Sequence, residues 1–176
     1  MNYTSDFLSS LLSEFKRYKA LGDKTFAQLS EEDIRLRQGE EDNSIAVIVK
    51  HISGNMLSRW TNFLTEDGEK TWRNRETEFE DSFQSKSDMI SAWERGWDCL
   101  FEALKSVNNE NFDTKVYIRG EAHSIPQAFH RQLGHYAYHI GQIVFLGKMI
   151  KGSEWVSLSI PKGGSEAFNK RMFGKK

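Results

Sequence analysis

The chain has 176 residues, 38% of them hydrophobic and 28% charged, with a formal net charge of -1. That length supports one core and a single domain over 1–176, and the balanced charge excludes the basic excess of a general nucleic-acid or membrane-surface binder. The single cysteine, Cys99, excludes an internal disulfide and a paired-cysteine zinc knuckle.

The first predicted element is an amphipathic helix over 4–21. Phe7, Leu8, Leu11, Leu12, Phe15 and Tyr18 recur at spacings of three and four, and Gly22 reads as its stop. The second spans 44–64. Ser44 is its N-cap behind the acidic "GEED", and Ile45, Ile48, Val49, Ile52, Met56, Trp60 and Phe63 form its stripe. The charged segment "KTWRNRETEFEDSFQSK" is too long for a tight connection and reads as an ordered crossover. Within it, "NRETEF" is expected to anchor the loop through Arg75, Glu76 or Glu78, with Phe79 inserted. The third helix spans 87–107 on Ile90, Trp93, Trp97, Leu100, Phe101 and Leu104. "TKVYIRGEAH" holds a short extended piece. The fourth helix spans 124–151, capped by Ser124, with Pro126 where an early proline is tolerated. Phe129, Leu133, Tyr136, Ile140, Ile143 and Ile150 give its period, and Gly152 ends it. The tail "EWVSLSIPKGGSEAFNKRMFGKK" has no clean period and reads as a docked coil with a short helix.

Two prolines in the whole chain suit a mainly helical fold. Four long helices with one crossover predict an all-α four-helix bundle. No apolar run approaches the ~20 residues of a membrane span, and "MNYTSDFLSSLLSEFK" lacks the features of a signal peptide. The expected setting is a soluble cytoplasmic protein.

The segment "HYAYHIGQI" carries the chemistry. On a wheel of about 100° per residue, His139 falls within the arc of Ile143, Leu146 and Ile150, and His135 lies at its edge. Residues at i and i+4 stack, so the two imidazoles can reach one metal ion. The alternative is two ordinary polar residues on a helix. Among the other histidines, His130, five residues before His135, points elsewhere and His123 lies at or before the helix start, while His51 lies beside the Ile48 and Ile52 stripe. A three-histidine site from His51, His135 and His139 would keep an open coordination position. Tyr136 stands where a zinc protease of the HExxH type keeps its glutamate, which argues against peptide hydrolysis.

These residues carry a resemblance. "NSIAVIVKHISGNMLSRW" followed by "HYAYHIGQI" resembles the DinB/YfiT-like superfamily, and "NRETEF" and "EWVSLSIPKGGSEAFN" resemble a branch of it known mainly as a domain of unknown function. The resemblance implies an up-down-down-up four-helix bundle carrying a divalent metal, zinc or nickel, on His51, His135 and His139. Relatives include thiol-dependent transferases that use bacillithiol or mycothiol, and a thiol-dependent isomerase. The implied activity is a thiol S-transferase with a low-molecular-weight thiol cosubstrate; the alternative is a non-catalytic metal-binding or stress-related protein.

Around the trio, Asn55 is one turn after His51 and Arg59 a further turn along. Arg59 is expected either to hold an anion of a thiol cofactor or to pair with a buried glutamate. Gln142 and Tyr138, and less directly Tyr18, are candidates to orient a ligand. Cys99 reads as a buried small hydrophobe. No general base is apparent. Gly134 and Gly141 share one stripe of the fourth helix, which predicts a close approach there by another helix, by the docked tail, or by a second subunit in a homodimer.

Overall fold

Three serines set the starts of three long helices. In the computed structural model, which describes residues 3–174, the Ser44 hydroxyl accepts from the Val47 amide, Ser85 from Asp88 and Ser124 from Gln127. Each satisfies an amide that helix geometry leaves without a partner. At Ser124 the cap is reciprocal, because the Gln127 side chain accepts from the Ser124 amide. The helices are α1 (Tyr3–Phe26), α2 (Ile45–Trp60), α3 (Lys86–Lys105), α4 (Ile125–Lys151) and a short α5 (Ser165–Phe173). With two short strands, β1 (Lys115–Ile118) and β2 (Glu121–Ser124), the described chain is mostly helical. The outermost two residues at each end of the expected domain 1–176 lie outside the described residues.

The predicted helices are present, with instructive shifts. α1 runs four residues past Gly22, which is buried. A Cβ on Gly22 would lie 2.4 Å from the Trp93 ring, so this glycine admits the indole of α3 instead of stopping the helix. Trp93 is fully buried and its Nε1 donates to Asp23, so the ring cannot easily yield. Gly22→Ala is therefore expected to destabilise the fold by about 1–3 kcal/mol through overpacking. Urea unfolding should show a lower midpoint at unchanged slope; an unaltered midpoint would mean that the indole repacks freely. α2 ends at Trp60, four residues before the predicted limit, and Asn62 then takes a left-handed φ of 50°.

The segment read as a short extended piece is a β-hairpin. β1 and β2 pair antiparallel, with Lys115 opposite Ser124 and Ile118 opposite Glu121. Arg119 (φ 56°) and Gly120 (φ 74°) form its two-residue turn, the left-handed pair that matches strand twist. Asp67 accepts from both of their amides, at 2.8 and 2.7 Å, and ties the tip to the loop after α2.

α2 packs on α3 and α4, and α1 packs on α4 and α3. Phe15, Trp93, Trp97, Leu100, Phe129 and Tyr136 form the centre of the shared core, all of them fully buried. Gly96 lets α3 approach α2, since a Cβ there would stand 3.1 Å from the Ser53 Cα.

The start of the tail is docked. Trp155 packs beside Gly147, and the Val156 backbone is paired with the Gln28 side chain at 2.8 and 3.2 Å. α5 buries no residue. Gly134 and Gly141 are exposed, with nothing within 4 Å of a Cβ built on either. Neither the tail nor another helix of the described chain covers them, so the expected intrachain contact is absent. Among the described residues, no helix is long and apolar enough to cross a membrane.

Candidate metal centre

α2 contributes His51 and α4 contributes His135 and His139. The His135 Nε2 lies 3.4 Å from the His51 Nε2 and 3.1 Å from the His139 Nε2. One ligand atom from each of the three residues can be chosen so that all lie within 4.8 Å of one another. His51 is 6% exposed, and the two α4 histidines are partly buried.

The outer nitrogens explain how the rings are aimed. His51 Nδ1 is 3.0 Å from Glu78 Oε2, and His139 Nδ1 is 2.8 Å from Gln142 Oε1. Both partners are acceptors, so each Nδ1 carries the proton and each Nε2 turns a lone pair inward. Burial, followed by the neighbouring His139 and His51, pushes the His135 pKa down to about 3; burial likewise lowers His139. Imidazoles with lone pairs converging in a protected place are a donor set that suits a cation. Zinc–imidazole bonds of about 2.0–2.1 Å in tetrahedral geometry put donor atoms roughly 3.3 Å apart, close to both spacings. These three histidines could thus hold a metal ion.

Glu78 comes from the crossover, in a 3-10 turn over Glu76–Phe79. Its two oxygens also accept from Arg73 at 2.7 and 2.9 Å. Burial would raise this carboxyl, but the hydrogen bonds from His51 and Arg73 outweigh it and hold the pKa below the usual range. Lys50 of α2 clamps the turn by donating to the Thr77 and Glu80 carbonyls. Gly54 makes the approach possible, because a Cβ there would stand 2.6 Å from Glu78 Oε1. Of the three candidate anchors in "NRETEF", Glu78 is the one that serves; Arg75 and Glu76 are exposed and pair with nothing among the described residues. Phe79 is not inserted. It stacks on the His51 ring at 5.1 Å and stays 43% exposed.

The remaining candidates divide. Gln142 orients His139, as expected. Asn55 is buried, and its Oδ1 accepts from the Tyr136 hydroxyl at 3.1 Å, which in turn accepts from Trp60 Nε1 at 3.0 Å. Burial raises the Tyr136 phenol, so it remains a protonated donor that fixes Asn55. Tyr138 sets its ring edge against His139 but is 64% exposed and makes no hydrogen bond among the described residues, so it does not orient the site. Tyr18 lies under the Arg17 guanidinium, and no hydrogen bond or ring contact links it to the trio among the described residues. Cys99 is half-buried beside Thr61, and burial raises its thiol. His130 packs on Phe7, and His123 turns to Arg131.

Arg59 overturns the expected pairing with a buried glutamate. It is 6% exposed, and its Nε and Nη1 have no hydrogen-bond partner among the described residues. Burial lowers its pKa. With Asn55, His51 and His135 it lines a cavity of about 200 Å³ beside the histidines.

Glu78, Arg73 and Gly54 were not assigned to the site from sequence. A glutamate in the crossover motif was the available signal for the first; the other two carried none.

The depressed His135 value has a consequence for the metal-free protein. Between about 3 and the ordinary 6.5 the unfolded chain binds more protons than the folded one, so stability falls as pH drops through that window. Above 6.5 the contribution is constant. Urea unfolding from pH 7 to pH 4 should show a steeper loss for the wild type than for His135→Asn; parallel curves would contradict it.

A mostly helical protein with three histidines drawn together from two helices is the class that the fold and the site define. Residues 2–164 match the family model described as Protein of unknown function (DUF1572), and the chain belongs to that family. No curated protein matches it.

Proposed function

We propose that this protein is a divalent-metal-dependent thiol S-transferase of the cytoplasm, built on a DinB-like four-helix bundle of up-down-down-up topology. The observation that carries the reading is the convergence of three Nε2 atoms beside a cavity, with the outer nitrogens of His51 and His139 committed to acceptors. His51, His135 and His139 would hold the ion, and imidazole donors suit zinc or nickel. Bound there, the ion would supply positive charge that keeps a coordinating thiol deprotonated at neutral pH.

The chain's own residues do the rest. Glu78 fixes the His51 ring and, engaged on both oxygens, positions without taking a proton. Gln142 does the same for His139. Asn55, held through its oxygen by Tyr136, keeps its amide N–H groups for a ligand in the cavity.

The test mixes metal-loaded protein, a low-molecular-weight thiol and a generic electrophile. A rate above the uncatalysed one that His51→Ala removes supports the transferase. No acceleration across several thiols would turn the reading to non-catalytic metal binding.

A homodimer belongs to the same proposal. Gly134, Tyr138, Gly141 and Phe145 form one exposed stripe along α4. In an antiparallel two-fold crossing, each glycine meets an aromatic ring of the other copy, Gly134 with Phe145 and Tyr138 with Gly141, as an isologous contact requires. A monomeric mass by light scattering would contradict it.

A further inference from the structure

The cavity beside the histidines is walled by Arg59, Arg73, Arg75, Arg119 and Arg131, and none of its lining residues is acidic. Two of these charges are answered nearby. Arg73 is paired with Glu78, and Arg119 binds Glu69 at 3.0 Å. Arg59, Arg75 and Arg131 have no contacting carboxylate among the described residues, and Glu69 and Asp67 act on Arg59 only from a distance. Arg75 makes no ion pair among the described residues, and Arg131 reaches only the His123 ring at 3.3 Å.

Arg59 is the informative one. Two exposed arginines alone would be a solvated surface. A guanidinium that is 6% exposed and has no hydrogen bond or ion pair among the described residues is a different matter. Withdrawing that charge from water without an anion is costly, and planar guanidinium groups match carboxylate and phosphate oxygens. The neutral groups in the wall fit the same ligand. Asn55 has free amide donors, and the buried Gln132 Oε1 is an acceptor without a partner, suited to an O–H or N–H elsewhere on the molecule.

We propose that this cavity binds a doubly charged oxyanion, two carboxylates or one phosphate, of a substrate or cosubstrate, on Arg59, Arg75 and Arg131. A volume of about 200 Å³, roughly that of seven waters in the liquid, accommodates such a group. His51 and His135 share the wall, so the anion anchors one end of the molecule while its other end faces the histidines. That orientation rests on the metal-dependent reading; the anion site itself does not.

Calorimetric titration of metal-free protein with inorganic phosphate, and separately with succinate, at constant ionic strength in chloride tests the site. At least one of the two should bind with a dissociation constant below roughly 1 mM. Phosphate alone assigns a phosphoester, succinate alone a dicarboxylate. Arg131→Gln, an exposed change that leaves the fold alone, and Arg59→Gln should each weaken binding about tenfold, while His139→Ala leaves it unchanged. No binding of either anion beyond that of chloride, or unaltered affinity in Arg131→Gln, would overturn the proposal. Protein that takes up metal but neither anion sinks this inference alone; protein that binds an anion but no metal sinks the metal reading alone.

Discussion

Replacing Glu78 with alanine is expected to lower the unfolding free energy by about 3–5 kcal/mol, the range for removing one partner of a buried ion pair. Both oxygens of Glu78 are held by Arg73, whose side chain is 3% exposed, so the substitution strands a buried guanidinium with only Glu69 at 3.7 Å to answer it. The same change frees His51 to rotate. Glu78→Gln isolates the charge from the hydrogen bond, because an amide oxygen still accepts from His51 Nδ1–H while the negative charge opposite Arg73 is gone. It should fold, and it should bind metal about 10–100-fold more weakly than the wild type, as loss of an outer carboxylate does at histidine sites. Urea unfolding and competition titration against a chelating dye read the two quantities. Wild-type metal affinity in Glu78→Gln would show that the carboxylate serves the crossover alone.

The second large effect has the opposite sign. Arg59→Met should raise the unfolding free energy by about 2 kcal/mol, the scale of the penalty for a buried polar group left unsatisfied. Methionine keeps the apolar stem against the loop at Gly68 and removes the unpartnered guanidinium. Equal or lower stability in Arg59→Met, by urea unfolding of the metal-free protein, would mean that Arg59 is satisfied in solution and carries no such burden.

Much of the centre was legible because it is helical. The i, i+4 spacing of His135 and His139 and the position of His51 beside an apolar stripe follow from a regular period, and a wheel suffices to bring them together. Glu78 escaped because it sits on a crossover without a period. Its position depends on tertiary anchors: Lys50 holding two carbonyls of the turn, and Gly54 leaving space for the carboxylate. Glycine was the least reliable signal. Gly22 reads locally as a helix stop but serves packing against Trp93, and Gly134 and Gly141 read as a close approach although their surroundings among the described residues are open. The serine caps at Ser44 and Ser124 were correct because capping is a local matter between a side chain and an amide three residues on. The Arg119–Gly120 turn is also a local signal, since both residues take left-handed φ values that suit a two-residue hairpin turn.

The most direct measurement is elemental analysis of protein purified without a histidine tag, wild type beside His135→Ala. The convergence of His51, His135 and His139 predicts about one divalent ion per chain in the wild type and its loss in the variant. Sub-stoichiometric metal that His135→Ala leaves unchanged would contradict the site.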